Sequence, residues 1–140
     1  MQVVSAESFH HWAQNKKAMS EGYTVTYVVL TSGELRMAER QTEHVACAEG
    51  GPVLAAGEMS FEIHKREMHI TGLSNLSTGF CPEVGCLEQV LVLLSSLQVD
   101  LSVCNIYLFE FRRCQSTNVM KYRDPFCVVC DAPLPEKWNF

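Results

Sequence analysis

Tyr23-Thr-Val-Thr-Tyr-Val-Val-Leu30, Thr31-Ser-Gly33 and Glu34-Leu-Arg-Met-Ala-Glu-Arg40 follow one another without interruption. The first segment alternates β-branched and aromatic residues, the pattern of a strand with one buried face. Gly33 marks a turn. The return segment places Leu35 and Met37 on one face and Glu34 and Arg36 on the other. Two adjacent strands joined by a short turn make an antiparallel hairpin.

Working outward, Val53 to His64 reads as a further strand. Met59, Phe61 and Ile63 share one of its faces; Glu58, Ser60, Glu62 and His64 share the other. Ala55-Ala56-Gly57 is a run of small residues, which implies a bulge or a neighbouring backbone in close approach at Gly57. Lys65-Arg66-Glu67 turns the chain into a partner strand, Met68 to Leu73. Glu43 to Gly51 carries no regular periodicity and ends in the turn Gly50-Gly51-Pro52.

Two helices are expected. Ser5 to Met19 has Ser5 as a cap, Phe9, Trp12 and Ala13 on one face, and Gly22 beyond its end. Val84, Leu87, Val90, Leu91, Leu94 and Leu97 recur at helical spacing, with Pro82 and Glu83 placed as first-turn residues. Asn105 to Arg113 is read as one long strand. The fold class is α+β: a mostly antiparallel sheet with two helices on one face and a degenerate zinc-ribbon-like element at the C-terminus. Residues 1–110 are expected to form the α+β domain, and residues 111–140 the ribbon-like element packed on it.

Composition narrows the function classes. The chain has 140 residues, enough for one domain with a small appendage. Its 47% hydrophobic content supports a real core. A net charge of −5 disfavours broad binding to a phosphate backbone and is compatible with a basic partner. Seven cysteines is an odd number, which speaks against a disulfide-knit secreted domain. Met1-Gln-Val-Val-Ser5 lacks the basic start and apolar core of a signal peptide. The longest apolar run, Val90 to Leu94, is far short of the about 20 residues that span a membrane. A reducing cytoplasm is the expected compartment, with no membrane association.

The chemistry concentrates in the tail. Cys127-Val-Val-Cys130 has the spacing with which two thiolates grip one tetrahedral ion. Cys114 supplies a third thiolate. Positions 111 and 117 hold Phe and Thr, so the first knuckle is incomplete. The metal ligands are read as Cys114, Cys127 and Cys130, the cofactor as zinc, and the fourth ligand as Cys104, a histidine or water. A ribbon that has lost its metal and packs through Phe126, Val128, Val129, Pro133, Leu134 and Trp138 gives the same ligand count.

Other residues offer weaker chemistry. Cys81, before Pro82 at the expected helix start, would be an activated nucleophile there, with His44 as its base. A buried, inert cysteine is the plainer reading. Ser74 to Gly79 could present amides to an anion, but it lacks a phosphate-loop pattern. Glu43, His44 and Glu58 could cluster. Arg112, Arg113, Lys121 and Arg123, with Tyr107, Tyr122 and Phe126, could bind a single strand, although Asp124, Asp131 and Glu136 dilute the charge.

Three stretches carry a family resemblance: Glu43 to Glu58, Thr71 to Glu83, and the tail from Phe109, which ends in Leu134-Pro-Glu-Lys-Trp-Asn-Phe140. With these the chain resembles an uncharacterised family of small bacterial proteins. The resemblance implies a two-knuckle ribbon in relatives, with Cys114 matching the second cysteine of the first knuckle. It implies no activity. The expected function is a small acidic protein-interaction module that binds another protein. By analogy of size and charge alone, an immunity or accessory role in a bacterial conflict system fits. The alternatives are an enzyme using Cys81 and His44 or an open zinc site, and a nucleic-acid-binding ribbon protein.

Overall fold

The computed structural model describes residues 2–3, 23–64, 67–77, 79–97, 99–115, 117–121 and 125–140. The helix expected over Ser5 to Met19 lies outside them, as do His10, His11, Tyr122 and Arg123.

The fold is α+β. Six strands form the main sheet: β1 (Gln2–Val3), β2 (Tyr23–Leu30), β3 (Leu35–Glu39), β4 (Val53–His64), β5 (Glu67–Ser74) and β6 (Asn105–Tyr107). Their order across the sheet is β1-β3-β2-β4-β5-β6. Every pairing is antiparallel except β5 with β6. The β2–β3 hairpin is the one the sequence spells, with Val28 opposite Arg36 and Gly33 at φ 88° in the turn. The second hairpin, β4 with β5, also forms where expected. A separate two-stranded sheet follows, of β7 (Glu110–Cys114) and β8 (Thr117–Lys121).

The alternation in β2, β3 and β4 sorts the core onto two faces. Val25, Tyr27, Val29, Leu35, Met37, Ala55, Met59 and Phe61 point to one side. Helix α2 (Cys86–Ser96) covers them with Leu87, Val90 and Leu94. Leu91 is only half-buried and Val92 is exposed, so the buried stripe is narrower than the periodicity suggested. On the other side, Val28, Ala38 and Ala56 pack under Cys47 and Ala48. Those two belong to α1 (His44–Cys47) and its C-cap, a single turn that the sequence did not announce. The two described helices therefore pack on opposite faces of the sheet.

Two expectations about local structure are corrected. The helix starts at Cys86 with Gly85 as its N-cap, so Pro82 precedes the first turn and Cys81 is not at a helix N-terminus. The strand expected over Asn105 to Arg113 is broken at Leu108 and Phe109, between β6 and β7. The break has a visible cause. The fully buried side chain of Asn75 accepts from the Phe109 N–H at 2.7 Å and donates to the Phe109 carbonyl at 2.7 Å. It also donates to the Pro82 carbonyl at 3.3 Å. One amide thus takes the place of a neighbouring strand and redirects the chain toward the tail. Among the described residues, no helix is long and apolar enough to cross a membrane.

Candidate metal centre

The site is built from two turns. The β7–β8 hairpin puts Cys114 opposite Thr117, and Gln115 in the turn takes φ 46°. The knuckle is a second, smaller hairpin, in which Phe126 bridges to Pro133. The Cys127 N–H donates to the Ala132 carbonyl, the Asp131 N–H to the Cys127 carbonyl, and the Leu134 N–H to the Pro125 carbonyl. Asp131, immediately after Cys130, takes φ 62°. Cys114 and Cys130 are thus each followed by a left-handed residue, which turns the chain away from the sulfur. Cys114, Cys127, Val119 and Leu134 pack together and seat the knuckle on the hairpin.

The three sulfurs converge. They lie within 4.8 Å of one another, and Cys114 Sγ is 3.2 Å from Cys130 Sγ. Zinc–sulfur bonds of about 2.3 Å at tetrahedral angles place bound sulfurs about 3.8 Å apart, inside this range. The Val129 N–H points at Cys127 Sγ, at 3.4 Å. The backbone N–H groups of Cys130 and Val129 lower the Cys127 pKa. The contact with Cys130, then burial, pushes the Cys114 thiol up to about 12. Crowded thiols resist ionising together, and a cation among them removes that resistance. The arrangement can therefore hold a metal ion.

Among the described residues, no fourth protein ligand joins the three sulfurs. Cys104 packs beside the main core instead of joining the cluster. His44 and His69 are engaged elsewhere. Phe111, where a ribbon would have its other cysteine, is buried in β7 opposite Met120.

The tail is tied down around this centre. Arg112 is buried, and its guanidinium donates to the carbonyls of Pro135, Glu136 and Phe111. Asn139 exchanges two 2.8 Å bonds with the Arg113 backbone. Trp138 Nε1 donates to the Cys81 carbonyl at 2.7 Å and so closes the tail onto the body. Trp138 nevertheless stays 37% exposed, so it docks by its edge and is no core residue. Of the basic cluster read from the sequence, Arg112 is consumed by the tail carbonyls, and Arg123 lies outside the described residues.

Cys81 and His44 do not form a pair. No hydrogen bond joins them. His44 is buried, and its Nε2 donates to the Gly57 carbonyl at 2.8 Å. Burial lowers its pKa. Burial raises that of Cys81, and the Arg113 charge works against it. Glu58 faces Arg40 at 3.8 Å. The residue pair that the sequence did not suggest is His69 with Asp100, whose Nδ1 and Oδ2 are 2.6 Å apart. The Ser102 N–H on the Asp100 carboxylate was the available signal, an Asp two residues before a Ser.

His44 makes stability depend on pH. Its folded pKa lies below its unfolded value of about 6.5, so its neutral form stabilises the fold fully above that pH. That contribution is expected to fade as pH falls below about 6.5 toward the lowered folded value. His44→Asn keeps an N–H for Gly57 and cannot titrate. Unfolding titrations at several pH values should show a shallower slope in this variant between about pH 5 and 7. An unchanged slope would remove His44 as the cause.

No protein-family model, no curated protein and no solved structure matches the chain. The functional reading therefore rests on this geometry.

Proposed function

We propose that the protein is an interaction module whose tail is stapled by zinc and presents its knuckle to another protein. The convergence of Cys114, Cys127 and Cys130 carries this reading. Thiolates favour zinc among the common divalent ions in a tetrahedral site. A solvent ligand completes the coordination, and a reducing cytoplasm keeps the thiols available. All seven cysteines are free, as that compartment requires.

The knuckle tip supports the partner. Val128 and Val129 lie between the two ligands, yet they are 67% and 68% exposed. Phe126 beside them is also exposed. A knuckle with a structural role alone has no need of apolar residues at its tip. A rigid apolar tip on a chain of net charge −5 suits a partner with an apolar pocket and a basic rim. An immunity or accessory protein would use such a surface against one specific target.

Two measurements test this. Purified protein is expected to carry one zinc per chain and to lose it in Cys114→Ser. Zinc at about a hundred times its dissociation constant should stabilise the fold by about 2.7 kcal/mol. In cells of the source organism, tagged wild type and Val92→Glu, altered on an exposed position of α2, should capture the same partner. Val128→Glu/Val129→Glu should not. Equal capture by all three, or none by wild type, would rule out the knuckle surface. Absence of metal from the wild-type protein would rule out the staple.

A further inference from the structure

A cleft of about 560 Å³ separates the tail from the body, within the range of small-molecule sites. Its body side carries Leu54, Phe80 and Pro82, and its tail side Arg113, Trp138 and Phe140. None of these residues is used by the metal centre or by the knuckle surface.

The tail wall is fixed in advance. The Trp138 ring is held by its bond to the Cys81 carbonyl. Phe140 lies 5.9 Å from it, tilted by 43°. Arg113 stacks over the Phe140 ring at 5.3 Å, which orients the guanidinium while leaving its N–H edge for a ligand. Among the described residues, no carboxylate lies within ion-pairing distance of Arg113. Flat apolar walls favour a planar ligand, and an unpaired guanidinium favours a carboxylate, which it can bind with two parallel hydrogen bonds. Glu83, exposed on the rim, repels a second negative charge.

We propose that this cleft binds a small planar aromatic monocarboxylate, with its carboxylate on Arg113 and its ring between Leu54 and Trp138. Cinnamate is a suitable probe, with cinnamyl alcohol as the neutral isostere and phenyl phosphate as the more highly charged one. Calorimetric titration of the full chain should give millimolar or tighter binding of cinnamate. Arg113→Met, which keeps the packing on Phe140, should weaken it about tenfold or more. Leu54→Glu, at a 42% exposed position on the opposite wall, should do the same without threatening the fold. Both alternative probes should bind more weakly than cinnamate. Weakening in both variants supports the site. Unchanged affinity in either one, or no binding of cinnamate to wild type, overturns it. Phenyl phosphate binding as tightly as cinnamate overturns the selectivity assigned to Glu83.

Discussion

Gly57→Ala is expected to destabilise the protein by about 3–5 kcal/mol, from overpacking and from a hydrogen bond lost inside the core. A Cβ at this position would lie 1.8 Å from the Ser74 carbonyl oxygen, 2.6 Å from its carbon and 3.0 Å from Asn75 Cα. All three are backbone atoms, so no side chain can swing aside. The Ser74 carbonyl would have to move. It accepts from the Tyr27 hydroxyl at 2.7 Å, and Tyr27 is fully buried. Moving the carbonyl leaves that hydroxyl without an acceptor in an apolar surrounding. Denaturant unfolding of Gly57→Ala, Tyr27→Phe and the double variant checks the mechanism. The glycine change should cost less in the Tyr27→Phe background, because the hydroxyl it would orphan is already gone. Strict additivity would mean that the two side chains do not act through Ser74. A cost under about 0.5 kcal/mol for Gly57→Ala, the range of surface changes, would mean that the strands are not this close.

The sequence announces this close approach without naming its partner. A glycine after two alanines in an otherwise strand-like run says that something sits near. That it is the carbonyl of Ser74 follows only from how the end of β5 lies against its neighbour β4. The same division holds elsewhere. The β2–β3 and β4–β5 hairpins were legible because alternation has a period of two residues and the turns are short. The parallel pairing of β6 with β5 was not, because it joins segments separated by a whole helix and leaves no local pattern. Helix α1 is a single turn, too short to show a period, and is held by the burial of His44 and Cys47.

The metal centre was half legible. The spacing of Cys127 and Cys130 fixes two ligands, because a knuckle is a local structure. Cys114 joins them through hairpin geometry, and its left-handed successor Gln115 matches Asp131 after Cys130. The sequence reads Cys114 as a ligand and leaves Cys104 as one option for the fourth position. They part because β6 anchors Cys104 beside the main core, while β7 belongs to the second sheet. The cysteine at the head of the expected helix, Cys81, lost its role for a reason of register. A proline can begin a helix, but here the first regular turn waits until Cys86.

Asn75→Asp is expected to cost about 3–5 kcal/mol at neutral pH, the cost of leaving a buried charge uncompensated. The change adds no volume, so packing does not enter. The native amide uses both of its ends. Its oxygen takes the Phe109 N–H, and its nitrogen donates to the carbonyls of Phe109 and Pro82. A carboxylate can still accept, but it has nothing to donate, and it would face two carbonyl oxygens in a site with no solvent exposure. The fold resists that charge, so the introduced carboxyl should titrate well above its unfolded value of about 3.9. Its protonated form regains one donor. The stability gap to wild type should therefore be fully open at neutral pH and should narrow as pH falls through the raised folded pKa toward about 3.9. Paired unfolding titrations across that window test the sign as well as the size. Limited proteolysis should cut the variant first between Tyr107 and Glu110, where the bonds to Phe109 are lost. A gap that stays constant with pH would mean that the side chain reaches water, and Asn75 would then not be what turns the chain from the body into its tail.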